Sequence, residues 1–306
     1  MKIAIIGAGN VGSTSAMRIA ESGLADIVLV DIAEGLAKAK ALDMQDAQAA
    51  LSSNYRIEGT QDITTIRSSD IVVITAGLVR KPGMTREELL NKNAAILKEI
   101  CLNIKKLAAD AIVLVVTNPL DLMVYFVLKT CGFNSNKVFG MGPSLDAARF
   151  AHLISEELHI PVTDIQACVI GSHGESMLPL PRLTTIKGAK LTELLSEEKI
   201  SSLVKRTVNR GAEIVSLLGS GSAYFAPSAA IAAIVRNIAK DQKQTLPVCA
   251  YLSGEYGIKD ICLGVPCILG RNGIKKIIQL DLTQAEKEKL AASAESIRQS
   301  LKQLPL

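Results

Sequence analysis

One histidine of the chain stands where its imidazole could exchange a proton with a bound ligand. His173 follows an apolar run that predicts a buried strand, and it has a small residue on each side, Ser172 and Gly174. Of the other two histidines in the chain, His152 falls on a predicted helix and His159 directly follows it, and a structural role is more common there. We therefore predict general acid/base chemistry for His173. The alternative is a surface or capping histidine.

A carboxylate and an arginine occur together at the start of a predicted helix. Asp146 and Arg149 are three residues apart, so their side chains project from nearby faces of that helix. In one interpretation, the acid stabilises the helix dipole and the arginine is solvated. In the other, Asp146 pairs with His173 and Arg149 binds a substrate carboxylate through two parallel hydrogen bonds. The spacing alone leaves both interpretations open.

Three more polar residues follow predicted strands of a parallel sheet, where such sheets bind ligands. They are Arg80, Arg86 and Asn118. Arg80 and Arg86 belong to one loop, which is either a solvated basic segment or a lid that carries arginine onto an anionic substrate. Thr85 and Glu88 predict a capping box at the start of the helix that follows.

A glycine-rich turn near the start of the chain predicts a nucleotide site. Gly7, Gly9 and Gly12 form a G-x-G-x-x-G pattern between an apolar strand and a helix, and a second strand ends on Asp31. This is the layout of a dinucleotide-binding βαβ unit, with the phosphates at the helix N-terminus. Asp31 would accept hydrogen bonds from ribose hydroxyls and repel a 2′-phosphate, which favours NAD over NADP. A purely structural glycine turn is the alternative.

The elements that must position these residues divide the chain into two parts. The first part alternates predicted strands at 3–6, 26–30, 70–75, 111–116 and 137–140 with predicted helices at 13–22, 36–48, 85–109 and 120–130. This alternation predicts an α/β fold with a doubly wound parallel sheet. The second part is mixed, with helices at 145–158, 192–218, from 227 and at 283–303, and strands at 163–170, 183–186, 246–252, 261–269 and 273–279. We predict a nucleotide-binding domain over 1–143 and a mixed α+β substrate domain over 144–306.

Composition narrows the class of protein. The 306 residues are 48% hydrophobic and 21% charged, with a net charge of +4, which is typical of a globular protein and gives no support for nucleic-acid binding. No apolar run reaches the ~20 residues needed to cross a membrane, and we find no signal peptide, so we expect a cytoplasmic protein. The six cysteines form no CxxC pair. We therefore predict reduced thiols and no metal site.

The ordered set of motifs resembles the lactate/malate dehydrogenase family, and within it the lactate-dehydrogenase-like malate dehydrogenases. The resemblance covers essentially the whole chain. Its motifs are GAGNVG at 7–12, DIAEGLAKAKALDM at 31–44, TAGLVRKPGMTREEL at 75–89, TNPLD at 117–121, LDAARF at 145–150, GSHGESMLPLPR at 171–182 and GSAYFAPSAA at 221–230. The resemblance implies a Rossmann-type fold, NAD as cofactor and a homodimer or homotetramer.

The resemblance also implies a role for each candidate residue. His173 would exchange the proton of the carbonyl or hydroxyl oxygen, and Asp146 would orient its imidazole and stabilise the cation. Arg149 would bind the substrate carboxylate, and Arg86 would polarise the carbonyl. Asn118 would hold the substrate or the nicotinamide. The implied cofactor-binding residues are Gly7, Ala8, Gly9, Asn10, Val11, Gly12, Asp31, Thr75, Ala76, Gly77, Asn93, Thr117 and Asn118.

Arg80 separates the two main activities that the resemblance allows. The lactate enzymes typically carry glutamine at the matching position, whereas the malate enzymes carry an arginine that pairs with the second carboxylate. We therefore expect a malate or oxaloacetate substrate. The alternatives are an L-lactate or other 2-hydroxyacid dehydrogenase and, from another class, a non-catalytic NAD-binding redox sensor. A nucleic-acid-binding role would need clustered aromatics, which make up only 3% of the chain.

Overall fold

The structure is a computed structural model that describes residues 1–78 and 84–305. Its strands are β1 Lys2–Ile6, β2 Asp26–Val30, β3 Ile57–Thr60, β4 Ile71–Ile74, β5 Ile112–Val115, β6 Val138–Gly140, β7 Ile165–Gln166, β8 Val169–Gly171, β9 Met177–Pro179, β10 Thr185–Ile186, β11 Ala189–Lys190, β12 Thr245–Ser253, β13 Lys259–Gly270 and β14 Gly273–Ile277. Its helices are α1 Asn10–Glu21, α2 Leu36–Leu51, α3 Arg86–Leu107, α4 Leu120–Cys131, α5 Gly142–Leu158, α6 Leu191–Leu194, α7 Glu197–Leu218, α8 Phe225–Ala239 and α9 Gln284–Leu301.

The first part of the chain forms a parallel sheet in the order β3-β2-β1-β4-β5-β6. All four residues of β4 and of β5 are buried, which explains why these strands are apolar on both faces. The strand order reverses between β1 and β4, so a crevice for a ligand opens at their carboxyl ends. The predicted doubly wound parallel sheet is confirmed.

The same sheet continues into the second part of the chain. β12 pairs antiparallel with β6, at Cys249 and Gly140, and β13, β8 and β9 follow in that order. Two glycines allow this close approach. A Cβ at Gly140 would lie 3.1 Å from the Cβ of Cys249 on β12, and one at Gly264 would lie 2.4 Å from the carbonyl oxygen of Gly171 on β8. Within the described residues, eleven strands therefore make one sheet.

The predicted strand at 163–170 is wrong as a single strand. The chain forms β7, which joins a three-stranded sheet in the order β11-β10-β7, and then β8, which joins the large sheet. Between the two strands, the backbone N–H of Cys168 donates to the side chain, Thr184 Oγ1, at 3.1 Å. The hydrogen bonding between strands is interrupted at this residue. The apolar pattern continued through this change of partner, so it gave no sign of the break.

Other element boundaries differ from the prediction for local reasons. β3 was not predicted, because its four residues carry one charge and one glycine among them. The helix predicted at 192–218 is two helices, and Ser196 caps the second, α7. The predicted capping box at the start of α3 is confirmed: Glu88 N–H donates to Thr85 Oγ1 at 3.0 Å and Thr85 N–H donates to Glu88 Oε2 at 2.9 Å.

The described residues also bear on the composition arguments. All six cysteines are free thiols, and five of them are buried, as the prediction of reduced core thiols requires. No group of three or more His, Cys, Asp or Glu side chains in the described part is arranged to hold a metal ion. Over the same residues, we find no helix with the length and apolar character that crossing a membrane requires.

Candidate active site

The glycine-rich turn has the shape that a bound pyrophosphate needs. Gly7 has a φ of +108°, which a side chain would strain, and a Cβ at Gly12 would lie 1.8 Å from the carbonyl oxygen of Gly7. A Cβ at Gly9 would meet no described atom within 4 Å. Gly7 and Gly12 therefore close the turn against α1, whereas Gly9 borders open space at the helix N-terminus, where a phosphate is stabilised. The residues present fit NAD at this place.

Asp31 lies beside the turn, at the carboxyl end of β2. Its Oδ2 accepts the backbone N–H of Ala8 at 2.6 Å, and its Oδ1 accepts the N–H of Ala33 at 2.9 Å. The carboxylate thus fixes the turn relative to β2. Each oxygen keeps a further lone pair with which to accept a ribose hydroxyl.

Lys40 contacts the same turn, and sequence reasoning missed it. Its Nζ reaches across from α2 and donates to the carbonyl oxygen of Ala8 at 2.8 Å and to Ser13 Oγ at 3.1 Å. It therefore adds a positive charge beside the N-terminus of α1, which begins with Asn10 and Val11. The spacing of α2 gave no signal for this contact, because it depends on how that helix is rotated against the sheet.

The opposite wall of the crevice is formed at the carboxyl ends of β4 and β5. Thr75 Oγ1 donates to the carbonyl oxygen of Gly7 at 2.9 Å, and Thr117 Oγ1 donates to that of Ala76 at 2.7 Å. A Cβ at Gly77 would lie 2.5 Å from the Thr117 methyl group. These contacts join the glycine turn to the two strand ends.

The side chain of Asn93 joins the loop after β4 to the loop after β5. It is fully buried, and its Nδ2 donates to the carbonyl oxygen of Asn118 at 2.7 Å while its Oδ1 accepts the N–H of Leu78 at 2.8 Å. The exposed Asn118 is therefore held at the mouth of the crevice. Because its amide is engaged by the protein backbone, Asn93 acts on this site by holding its loops.

The structure brings His173, Asp146 and Arg149 together. His173 Nδ1 lies 2.8 Å from Asp146 Oδ2, and Arg149 Nη1 lies 3.5 Å from Asp146 Oδ1. The carboxylate is only 1% exposed. Helix α5 begins at Gly142, so that Pro143 falls in its first turn, where a missing N–H costs nothing, and the first turn contains no acid. The interpretation of Asp146 as a dipole-stabilising first-turn acid is therefore wrong.

The surroundings of His173 favour its cationic form. Burial alone would lower the pKa of the imidazole. The negative charge of Asp146 and the hydrogen bond to it, together with the charge of Asp121, outweigh burial, and the pKa of His173 is raised. Gly142 makes this packing possible, since a Cβ there would lie 2.6 Å from the ring. The histidine is thereby prepared to hold a proton and release it at its second nitrogen.

Arg149 is a buried cation whose hydrogen-bonding capacity is only partly used. Its side chain is 12% exposed, and its Nε has no hydrogen-bond partner among the described residues. Burial lowers the pKa of the guanidinium, although Asp146 opposes this. A Cβ on Gly211 of α7 would lie 3.5 Å from Nη1, an ordinary van der Waals distance, so α7 packs directly beside the guanidinium. An anion beside Arg149 would offset the cost of its burial.

Two residues that hold the His173 loop were missed from the sequence. Asp121 Oδ2 accepts the backbone N–H of His173 at 2.9 Å, and Ser293 Oγ accepts the N–H of Ser172 at 3.0 Å. Asp121 follows Pro119 at the start of a helix, where an acid is ordinarily explained by the helix dipole. Ser293 comes from α9, far along the chain, so that no spacing rule could connect it to this loop.

The remaining arginine predictions are not settled by the geometry. Arg80 lies outside the described residues. Arg86 is the first residue of α3, and its side chain also lies outside them. The roles of Arg80 and Arg86 therefore remain predictions.

Comparison with known proteins identifies the family. Residues 1–140 match the family model described as lactate/malate dehydrogenase, NAD binding domain, and residues 143–304 match the lactate/malate dehydrogenase alpha/beta C-terminal domain. Over 305 residues the chain is 50% identical to a malate dehydrogenase of Methanosarcina barkeri, with 100% of this chain and 99% of the relative covered. A malate dehydrogenase of Halalkalibacterium halodurans is 47% identical, with coverage of 99% and 98%.

Solved structures support the same family assignment. Malate dehydrogenase from Salinibacter ruber superposes with a TM-score of 0.95 at 41% identity, covering 99% of this chain and 97% of its own. Lactate dehydrogenase from Cryptosporidium parvum, solved with lactic acid and nicotinamide adenine dinucleotide, also gives 0.95 at 38% identity, covering 99% and 98%. The fold and the site define a nucleotide-binding oxidoreductase. The chain belongs to the lactate/malate dehydrogenase family.

Proposed function

We propose that the protein is an NAD-dependent malate dehydrogenase, which interconverts (S)-malate and NAD⁺ with oxaloacetate, NADH and a proton. The observation that carries the proposal is the buried cluster of His173, Asp146 and Arg149 on the same sheet as the glycine-rich turn. The full-length relatives named malate dehydrogenase support this choice of substrate.

In the proposed reaction, the chain supplies the binding and the proton transfer. The acceptor for the hydride from C2 of malate would be supplied by NAD when it is bound. His173 takes the hydroxyl proton on the ring nitrogen that faces away from Asp146, and the aspartate stabilises the imidazolium that results. Arg149 holds the C1 carboxylate, and Arg86 stabilises negative charge on the C2 oxygen. Reduction of oxaloacetate returns the same proton.

We assign the cofactor to the crevice between the glycine turn and the ends of β4 and β5. The proposed contacts are Gly7, Ala8, Gly9, Asn10, Val11, Gly12, Asp31, Thr75, Ala76, Gly77, Thr117 and Asn118, with Asn93 acting through the loops that it holds. The hydrogen bonds that join Thr75 and Asp31 to the turn support this assignment.

The test is the steady-state kcat/KM for oxaloacetate and for pyruvate, each measured with NADH and with NADPH. We expect a large preference for oxaloacetate with NADH. A preference for pyruvate would instead favour a lactate dehydrogenase, which the TM-score of 0.95 to the Cryptosporidium parvum enzyme keeps as the second candidate. No turnover despite tight NADH binding would indicate a redox sensor.

Arg80 is the proposed discriminator between the two substrates. A cation enclosed with pyruvate would face a methyl group, at a cost of roughly 2–5 kcal/mol for an unpaired buried charge. The Arg80→Gln variant should therefore lose thirtyfold to several thousandfold of the preference for oxaloacetate, at ~1.4 kcal/mol per tenfold. Steady-state kinetics with both substrates measure this ratio, and Lys81→Gln is a control of the same charge change. An unaltered ratio would show that another residue discriminates.

We also propose a domain division at 143/144, a homodimer or homotetramer, and a cytoplasmic location. Helix α2 supports self-association: only Ala37 and Ala41 of its residues are buried, whereas Leu42 and Leu51 are each about half exposed. The free thiols suit a reducing compartment.

A further inference from the structure

A second carboxylate contacts the backbone of the candidate catalytic histidine. Asp121 is the second residue of α4 and is 3% exposed. Its Oδ2 accepts the backbone N–H of His173 at 2.9 Å. Its Oδ1 has no hydrogen-bond partner within the described part of the chain. Apart from the Cys249 thiol, a weak donor that acts on this carboxylate, one of the two carboxylate oxygens is therefore buried without the compensation that buried polar atoms ordinarily have.

Burying a carboxylate to accept one backbone N–H costs more free energy than burying a neutral acceptor. An amide oxygen would accept the same hydrogen bond without the cost of burying a charge. The charge therefore calls for a different explanation from the hydrogen bond. The titratable groups that act on Asp121 are His173 on the loop after β8, Asp146 on α5 and the Cys249 thiol on β12. Of these three, only the imidazole can become a cation.

The His173 loop is also held from its other side, by a neutral group. Ser293 Oγ accepts the N–H of Ser172 at 3.0 Å and donates to the carbonyl oxygen of Ser176 at 3.0 Å. Ser293 is 4% exposed, so these hydrogen bonds are shielded from water. The loop therefore has one charged and one uncharged tether, and the effect of charge can be separated from the effect of position.

We propose that Asp121 is a positioning residue for the proton transfer, which fixes the His173 loop through one oxygen and stabilises the imidazolium through its charge. In this arrangement His173 lies between two carboxylates, with Asp146 on its ring nitrogen and Asp121 on its backbone. The catalytic part of the inference rests on the proposed function. The electrostatic part concerns the histidine itself and does not depend on substrate.

The arrangement has a pH dependence. Burial raises the pKa of Asp121 to about 6, although the Cys249 thiol, the charge of His173 and the backbone N–H of His173 oppose this. Above that pH the carboxylate is charged and favours protonated His173. As the pH falls through about 6, Asp121 is neutralised and its support for the imidazolium is lost. Asp146 also favours the cation, and Arg149 opposes it.

The test is the titration of His173 followed by NMR of its ring protons in the full-length protein. With three histidines in the chain, the His173 signal is assigned by its loss in His173→Asn. We expect Asp121→Asn, which keeps an acceptor oxygen but no charge, to move the His173 midpoint to lower pH. Ser293→Ala, which removes the neutral tether, should leave that midpoint in place.

Activity provides the second readout. At pH 7, Asp121→Asn should reduce kcat/KM for oxaloacetate by up to about tenfold, and the loss should grow as the pH rises, because a smaller fraction of His173 then holds the proton that the reduction needs. Asp121→Ser serves if the amide variant does not fold, and it should shift the midpoint in the same direction. An unmoved midpoint in the folded Asp121 variants, or an equal shift in Ser293→Ala, would overturn the proposal. Because the titration needs no substrate, an inactive wild-type protein would contradict only the proposed function.

Discussion

Replacing His173 with alanine is expected to reduce kcat/KM for oxaloacetate by roughly 10³- to 10⁴-fold, which is the upper range for loss of a general acid. Within the cluster of His173, Asp146 and Arg149, the ring is suited to proton transfer because Asp146 Oδ2 lies 2.8 Å from its Nδ1, which leaves Nε2 to exchange a proton with the ligand. Binding of NADH should change by less than about twofold, since the glycine-rich turn makes its contacts through β1, α1 and β2.

The measurement combines steady-state kinetics with NADH fluorescence titration. His152→Ala is a matched control on α5, because its side chain is 61% exposed and its Nε2 lies 3.6 Å from Glu156 Oε1. That control should keep wild-type kinetics. Equal losses of turnover and of NADH affinity in His173→Ala would refute the division between a proton-transfer site and a cofactor site.

Replacing Arg149 with lysine is expected to cost about 3 kcal/mol of transition-state binding, or roughly a hundredfold in kcat/KM. Lysine keeps the positive charge but lacks the planar fork that binds a carboxylate through two parallel hydrogen bonds. The Nε of Arg149, which has no hydrogen-bond partner in the described residues, is available for one of those bonds. The loss should therefore follow from geometry, with charge retained.

Steady-state kinetics over a range of oxaloacetate concentrations will separate KM from kcat, and KM should rise most. Arg206→Lys on α7 makes the same chemical change at a half-exposed arginine that contacts Glu156 at 3.6 Å, and it should be silent. If Arg149→Lys binds the dicarboxylate as tightly as wild type, then Arg149 is a structural partner of Asp146 and another cation holds the substrate.

The nucleotide-binding part was predicted well from the sequence, because the patterns that define it involve residues that are close together in the chain. A strand, a glycine turn, a helix and a terminal acid follow one another within residues 1–31, and each step has a short-range physical reason. The second part was harder, since β8 and β12 pair with β13 and β6, which lie far away in the chain. The apolar run at 163–170 shows this, because it serves two different sheets without any change in its pattern.

The candidate site was only partly accessible from the sequence for the same reason. Residue types identified His173, Asp146 and Arg149, but the choice between a catalytic pair and a helix-dipole acid needed the start of α5 at Gly142. Lys40 and Ser293 reach the site through side-chain contacts across 27 or more positions of chain. Such contacts depend on how helices rotate against the sheet, and no periodicity of a single helix records that rotation.

The continuous sheet has a consequence for how the chain is assembled. If the nucleotide-binding part were made alone, β6 would become an edge strand with unpaired backbone groups and apolar Val138 and Phe139 on its faces. Open edges of this kind recruit other chains and promote aggregation. Gly140, which accommodates β12 by having no side chain, would then leave a flat and unprotected position. Strand β12 thus protects the first part of the chain from aggregation as well as joining it to the second part.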